Sequence, residues 1–401
     1  MGCAWLAWLA AARVPELPAQ VSELPPPTGP AAIGFRSFHW VDSIRAEPMT
    51  KRLDDRREVA AFMWYPAAAT GQPRASYVPD SSLMPASFRQ RFPTILSLRQ
   101  HGVVNAPIDT RAGPLPVLLF SPGGGMSVTQ YLTIIEDLVS HGFVVVGVEA
   151  SFEGYPVRLS HGRVASSAEF TFADVLTENR NRVDARALDL LFALRQLERL
   201  SAGSPVSDLR GRLDLTRVGA LGHSRGGLAA AEACKREPRL RGCLNYDGHY
   251  MNGGAYADTV AGVLSQPFLM FRRFRPEPTD SLLTEWRMSA QDWATNRDTL
   301  EQRTRRVLRN PVAASYLVTI DGAIHMSFSD MPFLWTAASV VADRARPQSE
   351  LLNAVREYTR DFFDLSVRGG QGRLVSRATP PIPYHATPPF IQLEILPPRS
   401  P

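Results

Sequence analysis

Short, mostly apolar segments recur along the middle of the chain, and longer amphipathic segments separate them. The apolar segments occur at 116–120, 143–148, 217–221, 242–246, 267–271 and 315–320. Runs of this length predict strands that are buried on both faces of a parallel sheet. Helical periodicity is found between them at about 128–141 and 179–200, and after the last of them at about 348–365. This alternation predicts an α/β fold with a doubly wound, mostly parallel sheet and helices on both faces.

The same patterns divide the chain into one α/β domain, residues 31–368, and two flanking segments. Residues 1–30 form an apolar and Pro-rich leader or tail. Residues 369–401 are rich in Pro, Gly and Arg and are expected to be irregular or extended. The long polar segment 276–311 has helix-like patches and is a candidate lid or cap. Residues 66–114 carry no pattern that assigns them to a helix or a strand.

The composition describes a globular chain with a full core and no nucleic-acid-binding character. Of the 401 residues, 44% are hydrophobic, and the formal net charge is +5. Lys51 and Lys235 are the only lysines, and the arginines are scattered along the chain. A nucleic-acid partner is therefore not expected, because such proteins gather their basic residues on one face.

Three cysteines, Cys3, Cys234 and Cys243, give no disulfide framework. Cys234 and Cys243 lie nine residues apart and are close enough to pair, but small buried apolar residues beside the core are the favoured interpretation.

The N-terminal residues carry a short apolar run. Residues 3–12 are apolar and precede Arg13 and a Pro-rich stretch. Ten residues are too few to span a bilayer but match the apolar region of a signal peptide, and 10–12 supply small residues for cleavage. A positively charged region before the run is missing. The pattern favours export, periplasmic or secreted, over a disordered apolar tail, and leaves a cytoplasmic location open.

The most informative motif is Gly222-His223-Ser224-Arg225-Gly226-Gly227. It follows the apolar run 217–221 and precedes a helix-like run at 228–233. A G-x-S-x-G motif between a strand and a helix is the nucleophile elbow of α/β-hydrolases, in which a sharp turn exposes the serine hydroxyl. The alternative is an ordinary Gly-rich turn. The context favours the elbow, with Ser224 as the nucleophile.

An acid and a base are expected after the elbow, in the order Ser, acid, His. Asp247 directly follows the apolar run 242–246 and is favoured as the acid, although an Asp before Gly is also a common turn residue. Asp321 competes, but it lies four residues before His325, the favoured base, and the two would crowd one loop. Of the other His residues after the elbow, His249 is expected to line the pocket and His385 lies in the Pro-rich C-terminal segment.

An oxyanion needs two backbone N–H donors. One is expected from Arg225, the residue after the nucleophile. The other is expected from the loop Ser121-Pro122-Gly123-Gly124-Gly125, where Gly124 is favoured and Gly123 and Gly125 remain alternatives. Three glycines also suit a phosphate cradle, but no dinucleotide-binding or P-loop motif is completed here. Neither a cofactor nor a metal is expected.

Three segments carry a family resemblance: 114–123, 137–145 and 222–227. In them the chain resembles the platelet-activating-factor acetylhydrolases, plasma and intracellular type II, of the α/β-hydrolase superfamily. It is more loosely similar to dienelactone hydrolases. The likeness covers about 100–365 and is weak over 152–215 and 276–311. It implies that the acid follows the strand after the elbow, which supports Asp247, and that the base lies in a G-x-x-H loop such as the one ending at His325.

Two positions depart from that family's pattern. Gly124 stands where the family often has a bulky residue, and Arg225 stands where it usually has an apolar one. The chlorophyllase-like elbow also carries an Arg there. The resemblance therefore implies ester hydrolysis more strongly than it implies a phospholipid substrate.

Together these features predict a serine carboxylic-ester hydrolase acting through an acyl-enzyme. The expected substrates are short-acyl esters, including platelet-activating-factor-like or oxidised phospholipids, with transient contact to a membrane surface. Two alternatives stay open: an exported, non-catalytic binding protein on a hydrolase fold, and an acyltransferase that uses the same residues.

Overall fold

A computed structural model of the chain describes residues 22–111, 113–203, 208–248, 264–334, 346–377 and 390–398. Thirteen strands are found in these ranges. They are β1 Ala32–Ala46, β2 Arg56–Ala67, β3 Arg74–Ser76, β4 Arg99–Val104, β5 Leu115–Ser121, β6 Val144–Val148, β7 Glu153–Arg158, β8 Val164–Ser167, β9 Leu213–His223, β10 Leu240–Tyr246, β11 Phe268–Arg273, β12 Ser315–Ile320 and β13 Ile391–Leu396.

Eight α-helices lie between these strands in the described ranges. They are α1 Ala86–Arg91, α2 Leu132–Ser140, α3 Val175–Ala202, α4 Arg225–Arg236, α5 Asp280–Glu285, α6 Ala290–Leu308, α7 Met331–Leu334 and α8 Gln348–Phe363. Short 3₁₀ turns at Val128–Tyr131 and His325–Phe328 precede α2 and α7.

Eleven strands form one sheet in the order β13-β12-β11-β10-β9-β5-β6-β2-β1-β4-β3, and β7 and β8 form a separate hairpin. Neighbours from β12 to β6 are parallel, whereas β2 joins β6 and β13 joins β12 in antiparallel pairs. The strand order reverses between β5 and β9: β6 is added on one side of β5, and β9 to β12 are added on the other. This reversal places helices on both faces of the sheet. The predicted mostly parallel α/β sheet is confirmed.

The central strands separate two apolar cores because alternate side chains point to opposite faces. Leu118 and Phe120 of β5 join the core that α2 and α8 cover. Val117 and Leu119 of the same strand join the core beneath α3, α4 and the end of α6. Every residue of β5 is buried, which explains why its sequence is a continuous apolar run.

The C-terminal segment is extended over residues 391–396, where it forms β13 of the main sheet. β13 pairs with the outer edge of β12 from Ile391 to Leu396, and Leu393 enters the core. An Arg305 guanidinium on α6 bonds to Glu394 of the strand at 2.8 Å. β13 therefore covers an edge of the sheet that would otherwise expose unpaired backbone groups.

The described part of the N-terminal segment also lies against the domain. Leu24 is buried, and the Thr28 hydroxyl donates to Asp137 of α2 at 2.8 Å. Ala31 N–H donates to the Ser140 carbonyl at the end of the same helix, at 3.1 Å. No described helix is both long and apolar enough to cross a membrane. The proposed leader, residues 3–12, lies outside the described ranges, so export stays a prediction.

Residues 66–114, for which the sequence predicted nothing, extend the sheet at its other end. β4 pairs in parallel with β1, and β3 pairs with β4. The Trp64 indole N–H donates to the Gln100 side chain at 2.8 Å, which ties β2 to β4 inside the core. These strands are short and mix polar with apolar residues, so their sequences lack the hydrophobic periodicity that predicts a strand.

Segment 276–311 contains α5 and α6. The last turn of α6 is buried, with Val307 and Leu308 in the core beneath the sheet. Its Glu301 pairs with Arg272 of β11. α6 thus connects β11 to β12 as a crossover helix, and a lid role for the exposed remainder stays a prediction.

Cys234 of α4 and Cys243 of β10 form a disulfide, so the favoured interpretation of two unpaired thiols was wrong. The end of α4 packs across β10, which brings the two Cα atoms to 6.5 Å, a separation that a disulfide can bridge.

Candidate active site

Ser224 lies at the turn between β9 and α4, in a backbone conformation that is rare for a residue with a side chain. Its φ is 54° and its ψ is −121°, a strained region that costs about 1–3 kcal/mol. The turn holds because Ser224 N–H donates to the Tyr246 carbonyl of β10 at 2.8 Å. Its own carbonyl accepts from Gly227 N–H at 3.0 Å, in the first turn of α4. The hydroxyl stands at the carboxyl edge of the sheet.

Two glycines make this turn possible by letting backbones approach each other. A Cβ at Gly222 would lie 2.3 Å from the Gly226 carbonyl oxygen, and one at Gly226 would lie 2.1 Å from the Ser121 carbonyl oxygen. Real Cβ atoms do not approach backbone oxygen so closely. The elbow is therefore packed directly against the start of the loop that follows β5.

Asp247 and His325, 78 residues apart in sequence, meet at the same edge. His325 Nδ1 lies 2.6 Å from Asp247 Oδ2. Asp247 is fully buried directly after β10, and its N–H donates to the Phe271 carbonyl of β11 at 2.9 Å. His325 follows β12 and is about one-third exposed. The backbone of Asp321, the competing acid, donates its N–H to the Phe390 carbonyl beside β13. The hydrogen-bond partner of Nδ1 in the His325 ring is Asp247.

His223 lies behind this pair and connects it to a tyrosine that the sequence did not single out. His223 Nε2 lies 3.0 Å from the His325 carbonyl oxygen, and its Nδ1 lies 2.8 Å from the Tyr131 hydroxyl. Because a carbonyl only accepts, Nε2 carries the hydrogen, and the Nδ1 of a neutral ring accepts from Tyr131. The Tyr131 oxygen in turn accepts from Gly123 N–H at 2.9 Å.

The three glycines of the loop after β5 have different surroundings. The N–H of Gly123 is bound to Tyr131, which argues against Gly123 as an oxyanion donor. A Cβ at Gly124 would lie 2.7 Å from Nη1 of Arg225, so the arginine side chain passes directly over this residue. The guanidinium of Arg225 is therefore a direct neighbour of Gly124. Gly125 has a φ of 73°, in the left-handed region that favours glycine.

A buried charge network supports this loop, and the sequence did not reveal it. Glu153 of β7 and Arg186 of α3 are both nearly inaccessible, at 4% and 2% exposure, and form a salt bridge of 2.6 Å. Arg225 Nη1 lies 2.6 Å from the other oxygen of Glu153. Burial raises the pKa of Glu153, but Arg186, Arg225 and Arg182 outweigh it and lower the pKa to about 2.

Two other buried carboxyls lie near the same edge. Glu149 accepts from the Ser127 hydroxyl at 2.5 Å and from Val128 N–H at 3.2 Å. Asp330 accepts from Thr133 N–H at 3.1 Å, at the start of α2. Burial, only partly offset by these hydrogen bonds, raises the pKa of each carboxyl to about 7.

Two further predicted positions lie outside the described ranges, His249 and His385. Within those ranges, no group of three or more His, Cys, Asp or Glu side chains is arranged to hold a metal ion.

The sequence family agrees with this geometry. The family model described as platelet-activating factor acetylhydrolase, isoform II, matches residues 51–346. A probable 1-alkyl-2-acetylglycerophosphocholine esterase of Arthroderma benhamiae is 27% identical over 272 residues, which cover 64% of this chain and 61% of the relative. The platelet-activating factor acetylhydrolase of Gallus gallus is 24% identical over 266 residues, 58% of each chain. The chain thus spans about three fifths of the length of these curated relatives.

A solved structure agrees over more of the chain. A ferulic acid esterase from Streptomyces cinnamoneus superposes with a TM-score of 0.69 and 26% identity, covering 92% of this chain and 98% of the esterase. Together with the family model and the relatives, this match confirms the resemblance inferred from the sequence. The chain belongs to the platelet-activating factor acetylhydrolase isoform II family and has an α/β-hydrolase fold.

Proposed function

We propose that the protein is a serine carboxylic-ester hydrolase with Ser224 as nucleophile, His325 as base and Asp247 as the acid that orients the base. The observation that carries the proposal is the 2.6 Å contact between His325 Nδ1 and Asp247 Oδ2 at the sheet edge where the strained Ser224 turn ends. The esterase names of the relatives support the same chemistry.

Acylation follows from this arrangement. Ser224 Oγ attacks the ester carbonyl carbon while Nε2 of His325 takes the hydroxyl proton. Asp247 stabilises the resulting imidazolium through its contact with Nδ1. The carbonyl oxygen becomes an oxyanion that accepts hydrogen bonds from the N–H groups of Gly124 and Arg225. When the intermediate collapses, the ester C–O bond breaks, and the departing alcohol receives the proton from His325.

Deacylation repeats the same steps with water. His325 Nε2 removes a proton from water, and the hydroxyl attacks the acyl carbonyl carbon of the acyl-enzyme. The second tetrahedral intermediate uses the same two N–H donors. Its collapse breaks the bond to Ser224 Oγ, returns the proton to that oxygen, and releases the carboxylic acid. No group beyond the chain and water takes part.

The proposed substrates are short-acyl esters, including acetylated or oxidised phospholipids, by analogy with the relatives' printed names. The Arg225 guanidinium lies over Gly124 and fills space beside the proposed oxyanion site. Because this arginine is about one-quarter exposed, it presents a cation at the edge of the site. A bulky acyl chain has less room there than it would have beside a small residue.

The experiment is hydrolysis of p-nitrophenyl esters from two to twelve carbons, and of an acetylated glycerophosphocholine, by the wild type and Ser224→Ala. The variant is expected to lose at least about 10³-fold in kcat. Ser315→Ala is the matched control, since the Ser315 hydroxyl is buried at the opposite end of β12 without a hydrogen-bond partner among the described residues.

Each outcome decides between functions. Activity on short esters that disappears in Ser224→Ala supports the proposal, whereas a preference for long chains argues for a lipase-like pocket. If Ser224 reacts neither with esters nor with a fluorophosphonate, the non-catalytic binding protein becomes the better explanation. Product analysis with an added alcohol distinguishes hydrolysis from acyl transfer, because only transfer yields a new ester.

A further inference from the structure

We propose that Glu153 is a positioning residue whose single buried carboxylate holds both halves of the proposed oxyanion site. It holds the Gly-rich loop through Arg186 of α3, and it holds the elbow helix through Arg225. The inference rests on the proposed function in one respect, since it takes Gly124 and Arg225 as the backbone donors. Neither Glu153 nor Arg186 touches the reacting atoms in this scheme.

Arg186 binds the Gly-rich loop by its carbonyls. Its guanidinium donates to the Pro122 carbonyl, and its Nη2 donates to the Gly123 carbonyl at 3.4 Å. In a planar trans peptide, the C=O of one residue and the N–H of the next point in opposite directions. When the Gly123 carbonyl points toward Arg186, the N–H of Gly124 therefore points away from that arginine.

The same reasoning accounts for the N–H of Gly123. It shares a peptide unit with the Pro122 carbonyl, which Arg186 also binds. On the other side of that peptide, Gly123 N–H donates to the Tyr131 hydroxyl at 2.9 Å. Two successive peptide units are thus oriented from one side by a single guanidinium. The Gly123 carbonyl also accepts from Met126 N–H at 3.2 Å, so Arg186 and Met126 together hold the peptide unit that carries the Gly124 donor.

Glu153 holds the guanidinium of Arg186 in the orientation in which it donates to the Pro122 and Gly123 carbonyls. The contact is bidentate, with Nε at 2.6 Å from Oε1 and Nη2 at 2.8 Å from Oε2. Paired forks of this kind fix direction as well as distance. Because both residues are nearly inaccessible, water does not compete for either group. The low pKa of Glu153 keeps its carboxylate charged throughout the pH range of ester hydrolysis.

Arg225 completes the arrangement from the elbow. Its Nη1 lies 2.6 Å from Glu153 Oε2, and its Nη2 donates to Asn179 Oδ1 of α3 at 3.0 Å. The side chain that is anchored this way belongs to the residue whose N–H is the second proposed donor. Glu153 therefore couples the position of the loop donor to the position of the elbow donor.

The charges of this trio also suit the reaction. Two guanidiniums share one carboxylate, which leaves a net charge of about +1 beside the place where an oxyanion develops. Replacing Glu153 by a neutral residue would leave two cations facing each other and would release Arg186 from the loop carbonyls. The field would then become more positive while the donors lost their alignment. The two effects oppose each other, so the measured rate shows which of them dominates, and we expect loss of alignment to dominate.

The test measures the rate at which a fluorophosphonate labels Ser224 in Glu153→Gln, together with kcat and KM for p-nitrophenyl acetate. The phosphonyl oxygen occupies the oxyanion site whether or not an ester is turned over. Labelling and kcat are each expected to fall about 10-fold to 100-fold, less than the 10²–10³ that follows deletion of a donor. KM is expected to change less than about twofold, because the donors act mainly on the transition state.

Glu136→Gln is the matched control. Glu136 is equally buried and accepts from His101 N–H at 2.7 Å and Gly102 N–H at 3.0 Å, outside the proposed site. Its substitution has the same chemistry and is expected to leave labelling within about twofold of the wild type. If labelling fell equally in both variants, the loss in Glu153→Gln would reflect general destabilisation, and the proposal would be overturned.

Arg186→Lys and Arg225→Met decide the question if Glu153→Gln does not fold by circular dichroism. A lysine cannot make the two-pronged contact, so Arg186→Lys should lower kcat with KM retained. Arg225→Met leaves the Glu153–Arg186 pair intact and should show a smaller loss. Folded variants that all label at the wild-type rate overturn the proposal. A wild type that is labelled but hydrolyses no ester overturns the proposed function instead, and labelling still tests the network.

Discussion

The Tyr131 hydroxyl and Nδ1 of His223 lie 2.8 Å apart, 92 residues apart in sequence, in the fully buried layer beneath the proposed nucleophile. This contact joins two parts of the site. On one side, Tyr131 accepts from Gly123 of the Gly-rich loop. On the other, His223 contacts the carbonyl of His325. A continuous chain of hydrogen bonds therefore runs from the Gly-rich loop to the backbone of His325, the proposed base.

Tyr131→Phe should remove the hydrogen bonds that connect these two parts of the site. Removal of the hydroxyl leaves Gly123 N–H and His223 Nδ1 without their buried partner, which costs about 1–3 kcal/mol of unfolding free energy. We expect urea denaturation to show that loss, and kcat to fall by about 3-fold to 30-fold as the loop relaxes, within the range of losses that misplaced site residues cause. Tyr77→Phe is the control, because the buried Tyr77 hydroxyl has no hydrogen-bond partner among the described residues. Equal stability losses in both variants would show that the hydrogen bonds of Tyr131 contribute nothing.

Asp247→Asn, compared with Asp321→Asn, should show which of the two candidate acids orients His325. An amide in place of the carboxylate cannot stabilise the imidazolium and favours the wrong ring tautomer, so kcat should fall by about 10⁴. Asn tolerates the positive φ of 48° at this position, and the fold should persist. Asp321→Asn is expected to keep kcat within a few-fold of the wild type. The pH dependence of kcat/KM measured on both variants checks this, and a larger loss in Asp321→Asn would reverse the assignment.

The sequence predicts the residues of this site that follow a local rule. Ser224 lies in a strand-turn-helix motif, Asp247 comes directly after an apolar run, and His325 lies in the loop that follows another. Parallel strands present their carboxyl ends at one edge, so a contact between residues 78 positions apart can be expected without coordinates. That reasoning needs only the order of the strands and the position of each polar residue at a strand end.

Other parts follow no such rule. Arg186 acts on backbone carbonyls 64 and 63 residues away, and Tyr131 acts on a backbone N–H. Such partners leave no pattern of side-chain types along the chain. β13 was missed for a different reason, because its six residues follow a Pro-rich stretch whose composition indicated only an irregular or extended segment. Its pairing with β12 depends on an uncovered edge, which a strand pattern alone does not show.

The raised pKa of Glu149 predicts that the stability of the fold depends on pH. Burial raises its folded pKa from 4.5 to about 7, so the folded state binds the proton more tightly than the unfolded state does. The stability that this proton confers is complete below about pH 4.5 and is lost as the pH rises to 7, on the order of 3 kcal/mol for one such group. Glu149→Gln keeps acceptors for Ser127 and Val128 but cannot ionise.

Urea denaturation at pH 5 and pH 8 measures this effect. We expect Glu149→Gln to lose less unfolding free energy than the wild type between the two pH values. Asp330 has a pKa raised by the same cause to about 7, so the variant should retain part of the slope and Glu149→Gln with Asp330→Asn should retain less. Identical slopes in wild type and Glu149→Gln would show that the pKa of Glu149 is not raised in the folded protein.

Gly124 and Arg225 compete for the same space, which predicts coupling between substitutions at the two positions. A Cβ at Gly124 would lie 2.7 Å from Arg225 Nη1, the far end of a flexible side chain. Gly124 is not among the glycines with positive φ, so the Cβ meets an obstacle only in that guanidinium. Gly124→Ala should displace Arg225 from Glu153 and lower kcat/KM by about 10-fold, a typical effect of a misplaced donor.

In an Arg225→Met background the obstacle is gone, and Gly124→Ala should cost less than about threefold in kcat/KM, as expected when two contacting residues are coupled. Gly226→Ala is the contrasting control, since its Cβ would lie 2.1 Å from the Ser121 carbonyl oxygen, which is backbone and cannot move aside. That substitution should abolish activity in either background. A double-mutant cycle on kcat/KM measures the coupling, and strictly additive effects of Gly124→Ala and Arg225→Met would mean that the two residues do not share this space in solution.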